Sequence, residues 1–314
     1  MSPKKLIYPI FLPMLGCTHR CIYCDQRKIS AAGNPDLDKE FQNAASFVAY
    51  HGGEDKEIAF YGGSFTALSS DFRAQLMGRF SSLRDSQTIF RISTHPLYIN
   101  EPILHECQEQ GIGCIELGIQ DFSSKVLSES GRGYSSSQAI SAAWMVKNHG
   151  FKLGIQLLPG LPGSNKQSIA ENQAVLCEIK PDYLRLYPLI VIKDTALAKS
   201  YAEGSYQPLS LEEAVNICAD FAELAEREGI SIIKMGLPST LALSDIVAGP
   251  YHPAFGEFVM AERLIRSIVN AKIGGKQINL DKKQQTLILS HRGIFKQNLE
   301  KRLKNCTINS VDML

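Results

Sequence analysis

At 314 residues, 44% apolar and 21% charged, with a net charge of +1, the chain has room for one large α/β domain plus a small appendage, and its bulk charge does not announce a polyanionic partner. No run approaches the roughly 18 consecutive apolar residues of a membrane span, and the start MSPKKLIYPIFLPMLGC lacks a secretion signal's apolar core and small-residue cleavage site, so a cytoplasmic protein without membrane contact is expected. Eight cysteines over this length make no disulfide scaffold.

In chain order, short β-like runs alternate with segments of helical spacing. Expected strands are LIYPIFL (6–12), EIAFY (57–61), TIFRIST (88–94), CIELGI (114–119), KLGIQL (152–157) and DYLRLY (182–187). Between them DFRAQLMGRFSSL (71–83), EPILHECQEQG (101–111) and SQAISAAWMVKNHG (137–150) read as helices, the last two stopped by glycine. Such alternation predicts parallel strands joined by right-handed crossovers. Six units fit before residue 200, fewer than the eight of a closed barrel.

A further helix begins near Ser210, where Ser210 and Glu213 form the Ser-x-x-Glu capping signature, and a short strand ISIIK (230–234) follows. GLPSTLALSDIVAGPYHPAFGEF (236–258) reads as an irregular connection, in which Tyr251, His252 and Glu257 are placed to line the open side of an incomplete barrel. After it come a helix over about 257–271, a Gly-Gly turn, a strand near TLILS and a basic final helix. Residues 261–306 hold eleven Lys and Arg against three acids, the electrostatic footprint of RNA contact, with Phe295 as the lone aromatic. A solvated helical face explains the same charges.

The chemistry-bearing residues fall just after the strands. The cysteine loop follows the first, GGSFT (62–66) the second, THP (94–96) the third, QDF (120–122) the fourth, LPGLPG (158–163) the fifth and YP (187–188) the sixth. Parallel α/β folds place active sites at the C-terminal ends of their strands, so these loops form one rim.

Cys17, Cys21 and Cys24 follow the pattern C-x3-C-x2-C, whereas Cys107, Cys114, Cys177, Cys218 and Cys306 are scattered as small buried hydrophobes would be. Thiolates suit zinc or iron–sulfur clusters. Zinc in a structural site requires a fourth ligand, for which His19, His51 or His95 are candidates. A 4Fe–4S cluster on three cysteines keeps one iron open to an exogenous ligand.

The triad with Tyr23 before its last cysteine resembles the signature of the radical S-adenosylmethionine (SAM) enzymes. The resemblance implies a partial six-unit α/β barrel, a 4Fe–4S cluster held by Cys17, Cys21 and Cys24, and SAM chelating the open iron. Reductive cleavage of SAM then yields a 5′-deoxyadenosyl radical. YGGSFT resembles the family's Gly-Gly segment, placing Gly62, Gly63 and Ser64 at the cofactor, the glycines admitting its amino group. IELGIQDFSSKVLSESGRGY resembles the stretch that places a Gln and the Arg of an Arg-Gly-His near SAM, here Gln120 and Arg132, with Tyr134 in place of the His. Gln156 stands where relatives carry Asp. Arg pairs with carboxylates and Gln with ribose hydroxyls. The implied domains are a radical SAM barrel over 1–235 and a small basic α+β domain over 236–314.

YLRLYPLIVIKDTALAKSYAEGSYQPLSLEEAV (183–215) and THPLYI (94–99) resemble the radical domain of the Elongator catalytic subunit, with His95 where that family has Arg. That implies modification of tRNA wobble uridine and an electron donor such as flavodoxin or ferredoxin. About 80 residues follow the resemblance, without a recognisable acetyl-CoA loop, so uridine carboxymethylation does not carry over intact. Two alternatives stay open: the same chemistry on a small metabolite such as a tetrapyrrole, since oxygen-independent coproporphyrinogen oxidase shares the Gln and Arg-Gly-His signature, and a non-catalytic zinc or iron–sulfur RNA-binding protein.

Overall fold

The computed structural model describes residues 6–18, 21–33, 35–237, 241–273 and 279–305. Six strands, β1 (Leu6–Phe11), β2 (Lys56–Tyr61), β3 (Thr88–Thr94), β4 (Ile112–Gln120), β5 (Lys152–Leu157) and β6 (Tyr183–Leu186), lie within two residues of the expected runs. A two-residue β7 (Val191–Ile192) precedes β8 (Ser231–Met235), and β9 (Ile246–Ala248) pairs antiparallel with β7. The main sheet is all parallel in the order β1-β2-β3-β4-β5-β6-β8, a partial barrel with β1 and β8 at its edges among the described residues. The ISIIK run is thus a seventh parallel strand, an extension beyond the six units read from sequence.

The helices are α1 (Gln26–Ser30), α2 (Leu37–Tyr50), α3 (Ser70–Phe80), α4 (Glu101–Glu109), α5 (Ser124–Glu129) and α6 (Ser136–Asn148). They continue with α7 (Lys166–Ile179), α8 (Ala196–Ala202), α9 (Leu211–Glu228), α10 (Phe255–Ile273), α11 (Lys282–Leu289) and α12 (Ile294–Asn305). Ser210 caps α9 through the expected box, and Gly229 ends it in the left-handed conformation.

Period-two alternation divides the strands between two environments. Ile58, Phe60, Phe90, Ile92, Ile115, Leu117, Leu153, Ile155, Leu184 and Leu186 join the helices in one continuous core. The interleaved Tyr61, Ser93, Glu116, Gly118, Gln156 and Arg185 line the concave side. Burial on both faces is the general condition of parallel strands, and here the inner face carries polar groups.

TLILS is not a strand. Asp281 caps α11 by accepting from the Gln284 N–H (2.8 Å) and donating its own N–H to the Gln284 side chain (3.0 Å). Ile288 packs with Phe295, Leu299 and Leu303 in a small core shared by α10 and α12. A short apolar run carries no period that separates strand from helix, and the cap decides. Gly274 and Gly275, expected as a turn, lie outside the described residues.

Candidate active site

One cavity of about 360 Å³ opens at the C-terminal ends of the strands. Cys17, Cys21, Tyr23, Cys24, Gly62, Gly63, Ser64, Gln120, Arg132 and Gln156 all line it, so the structure brings these ten residues to one place. His95 lines it too, whereas His51 ends α2 and pairs with Glu54, away from the cysteines. His19 lies outside the described residues.

The cysteine loop and the Gly-Gly loop are built against each other. Met14 N–H donates to the Gly62 carbonyl (2.8 Å) and Ser64 N–H to the Leu15 carbonyl (2.9 Å). A Cβ on Gly63 would sit 2.2 Å from the Leu15 oxygen and 2.8 Å from the Leu12 oxygen. A Cβ on Gly16 would sit 2.3 Å from the Ser64 oxygen. The space that glycine leaves at position 63 is therefore taken by the cysteine-loop backbone. Gly62 differs: its Cβ would fit, but its φ of +90° favours glycine. Ser64 Oγ lies 3.7 Å from Cys17 Sγ.

The far side of the cysteine loop rests on the stretch after β6. Tyr23 is buried among Leu158, Leu161, Leu189, Val191 and Leu197. Leu197 N–H donates to the Ile22 carbonyl (2.8 Å), and Lys28 Nζ bonds the Lys193 carbonyl and the Asp194 carboxylate, both at 2.8 Å. The stretch resembling Elongator is thus the seat of the cysteine loop, a role that sequence reading had not assigned.

Arg132, 5% exposed, is the hub between the loops. One terminal nitrogen donates to Cys21 Sγ (2.9 Å) and to Tyr23 Oη (3.2 Å). The other reaches the Gly118 carbonyl, and Nε donates to Tyr134 Oη (3.2 Å). Tyr134 in turn donates to the Ile119 carbonyl (2.5 Å). Tyr134 therefore aims Arg132 from the position where relatives carry His. Burial raises the phenol pKa values of Tyr23 and Tyr134, so both keep their protons. It also raises the Cys17 thiol and pushes Cys24 up to about 12.

Gln120 ends β4 with φ +72°, rare for a residue with a side chain, where the β4–β5 register shifts. The bend turns its amide to accept from Gln156 Nε2 at 3.1 Å.

Deeper in the cavity lies a network that motif reading missed. Arg91, fully buried, bridges the buried Glu57 and Glu116, bonding Glu116 at 2.5 Å. Glu116 also pairs with Arg185 (2.8 Å) and accepts from Tyr61 Oη (3.2 Å), while Arg185 bonds Tyr187 Oη (2.9 Å). Gly154 makes room, since a Cβ there would lie 2.7 Å from Glu116 Cγ. The available signal was charge at alternate positions of otherwise apolar strands.

Two expectations about the C-terminal part need revision. Tyr251, His252 and Glu257 do not line the cavity. Tyr251 packs near Ile190, Ile192 and Leu241, the His252 ring lies tilted against Phe258 with centroids 4.4 Å apart, and Glu257 pairs with His291 (2.8 Å). Three arginines among the eleven basic residues of 261–306 are paired with acids of the fold. Arg263 pairs with Glu226, Arg266 with Asp220, Glu223 and Glu262, and Arg302 with Glu262. Lys282, Lys283, Arg292, Lys301 and Lys304 remain exposed. Phe295 is buried in the small core, not a stacking platform.

Three thiols at the mouth of a cavity, held by glycine-dependent loop contacts, fit a cluster bound on one side and open on the other. No helix among the described residues is long and apolar enough to cross a membrane.

Comparison with known proteins identifies the family. The Radical SAM superfamily signature matches residues 11–173, and the Radical SAM C-terminal domain matches 181–266. The chain is 28% identical over 230 residues to a tRNA uridine(34) acetyltransferase of Methanocaldococcus jannaschii, covering 65% of this chain and 41% of that protein. It is 22% identical over 229 residues to the heme chaperone HemW of Lactococcus lactis, covering 71% of this chain and 60% of that one. It therefore spans less than half of the first relative. In fold it matches the Methanocaldococcus infernus Elp3 with N-terminus deletion at a TM-score of 0.63 and 19% identity, over 88% of this chain and 65% of that one. With its family match covering more than half of the sequence, the chain belongs to the radical SAM superfamily, and it is an enzyme whose cofactors are a 4Fe–4S cluster and S-adenosylmethionine.

Proposed function

We propose that this enzyme modifies RNA, with a tRNA uridine of the wobble type as its acceptor. The observation that carries the reading is the alignment with the tRNA uridine(34) acetyltransferase over 230 residues. The Elongator-like stretch seating the cysteine loop supports it. Cys17, Cys21 and Cys24 hold the cluster. When bound, the cluster and SAM supply a 5′-deoxyadenosyl radical able to abstract a hydrogen atom. Arg132 holds Cys21 and Tyr23 in register, and its positive charge favours a carboxylate at the same rim. Gln120 and Gln156, joined to each other, offer amide donors and acceptors to sugar hydroxyls. Gly62 and Gly63 keep the second loop close to the first, and Ser64 faces Cys17. The buried arginines and carboxylates fix the cavity floor.

In this reading residues 1–235 form the radical SAM barrel and 236–314 a basic lobe, supported by the separate small core of α10, α11 and α12. The exposed Lys282, Lys283, Arg292, Lys301 and Lys304 meet RNA phosphates, a flavodoxin or ferredoxin delivers the electron, and the enzyme works in the cytoplasm. The second reading, a tetrapyrrole acceptor, is favoured by the similarity to the heme chaperone and to the anaerobilin synthase of Escherichia coli.

The test is anaerobic. The chain is reconstituted with iron and sulfide, reduced, given SAM, and assayed for 5′-deoxyadenosine with and without bulk tRNA. Stimulation by tRNA is expected. Stimulation by a porphyrinogen and indifference to tRNA would refute the RNA reading.

A further inference from the structure

Away from the cavity, Glu101 and His105 stand one turn apart on α4, and His149 follows the last residue of α6. Their ligating atoms all lie within 4.8 Å of one another. The rings of His105 and His149 meet edge to face, with centroids 5.6 Å apart. The His149 backbone is fixed by Gln108 Nε2 donating to its carbonyl at 2.8 Å.

The hydrogen bonds of His149 pose a problem that a cation solves. Its Nδ1 lies 2.8 Å from the Met145 carbonyl oxygen, which only accepts, so Nδ1 carries the hydrogen. In a neutral imidazole Nε2 is then a lone pair, and it faces a Glu101 carboxylate oxygen at 2.7 Å. Two acceptors do not sit at that distance with nothing positive between them. An ordinary ion pair accounts for that contact alone, whereas a metal ion accounts for it together with the His105 nitrogen, which lies within 4.8 Å of both partners.

We propose that Glu101, His105 and His149 bind a divalent transition-metal ion, zinc foremost. Two imidazoles and a carboxylate are a zinc donor set, and imidazole disfavours magnesium and calcium. The Nδ1–H bond to a backbone carbonyl is the usual outer partner that orients a metal-binding histidine. Three protein ligands leave a position for water. The ion would clamp α4 to the end of α6, two helices separated in sequence by β4 and α5. Ferrous iron supplied for cluster assembly would enter the same site, and zinc would displace it, following the order of divalent affinities.

The experiment uses the full-length, cluster-loaded chain equilibrated at micromolar free zinc, passed through a desalting column and analysed for zinc and iron. One zinc per chain beyond the cluster iron is expected. His105→Ala and His149→Ala should each weaken zinc binding at least tenfold while leaving cluster iron unchanged. His149 also ends α6, so His105→Ala, at an exposed position, is the decisive variant. Zinc should raise the thermal midpoint of the parent protein and not that of His105→Ala. Equal zinc in parent and variants, or none in the parent, would overturn the proposal and leave a proton as the bridge.

Discussion

Gly63→Ala tests how the cysteine loop is held. The added methyl would lie 2.2 Å from the Leu15 oxygen and 2.8 Å from the Leu12 oxygen. Both are main-chain atoms, so no side chain can swing aside. The loops must separate, and the Ser64 N–H bond to Leu15 (2.9 Å) is lost with the fit. Overpacking of this kind costs about 1–3 kcal/mol and the hydrogen bond about 1 kcal/mol more. A total of about 2–4 kcal/mol lowers the population of the closed loop pair by roughly 30- to 900-fold. Iron and sulfide per chain after anaerobic reconstitution, with the cluster absorbance, read the result directly, and urea unfolding reads the stability. Gly78→Ala is the control, because nothing lies within 4 Å of its added Cβ and it sits inside α3, where alanine should stabilise by about 0.5–1 kcal/mol. A Gly63→Ala chain with full cluster content and unchanged stability would refute the view that these glycines serve loop-to-loop packing.

Arg91→Met should destabilise the fold by about 3–5 kcal/mol in urea, because it removes the buried cation between two buried carboxylates, Glu57 and Glu116, and leaves Arg185 alone to balance Glu116; a loss below about 1 kcal/mol would show that the network is dispensable. Asp121 should set a pH dependence, since burial lifts its carboxyl to about 6. Between the ordinary aspartate range and 6 the folded chain holds a proton that the unfolded chain has released, so this group's contribution to stability falls as pH rises from about 4 to 6 and is flat above. Asp121→Asn should flatten the urea stability between pH 4.5 and 6.5 by about 2 kcal/mol, and an unchanged slope would count against it. Replacing Lys282, Lys283, Lys301 and Lys304 with Ser should reduce the salt dependence of tRNA binding by up to about 0.9 in log–log slope per lost phosphate contact. Arg263→Ala and Arg266→Ala should lower stability instead, because their charges are held by acids of α9.

The strands were legible because their apolar runs are short, recur regularly and end in turn residues. The triad of Cys17, Cys21 and Cys24 was legible because its ligands are adjacent in sequence. What stayed hidden depends on contacts across the chain. Arg91, Glu116 and Arg185 come from three different strands, and no local spacing joins them. Counting charges over 261–306 suggested a free basic surface, but Asp220, Glu223 and Glu226, which hold two of its arginines, lie about forty residues upstream. TLILS misled because two or three apolar residues fit either period, and the Asp281 cap lies just outside the run.

Among the described residues β1 has one strand neighbour, β2. An edge strand can detach and re-anneal while the five strands between the two edges stay paired. The cysteine loop, which follows β1, therefore leaves the sheet at its margin. A cluster bound by that loop would tie down the strand that leads into it. Amide exchange along β1 should accordingly be fast in the metal-free chain and slow once the cluster is in place, making that strand the natural gauge of how far maturation has gone.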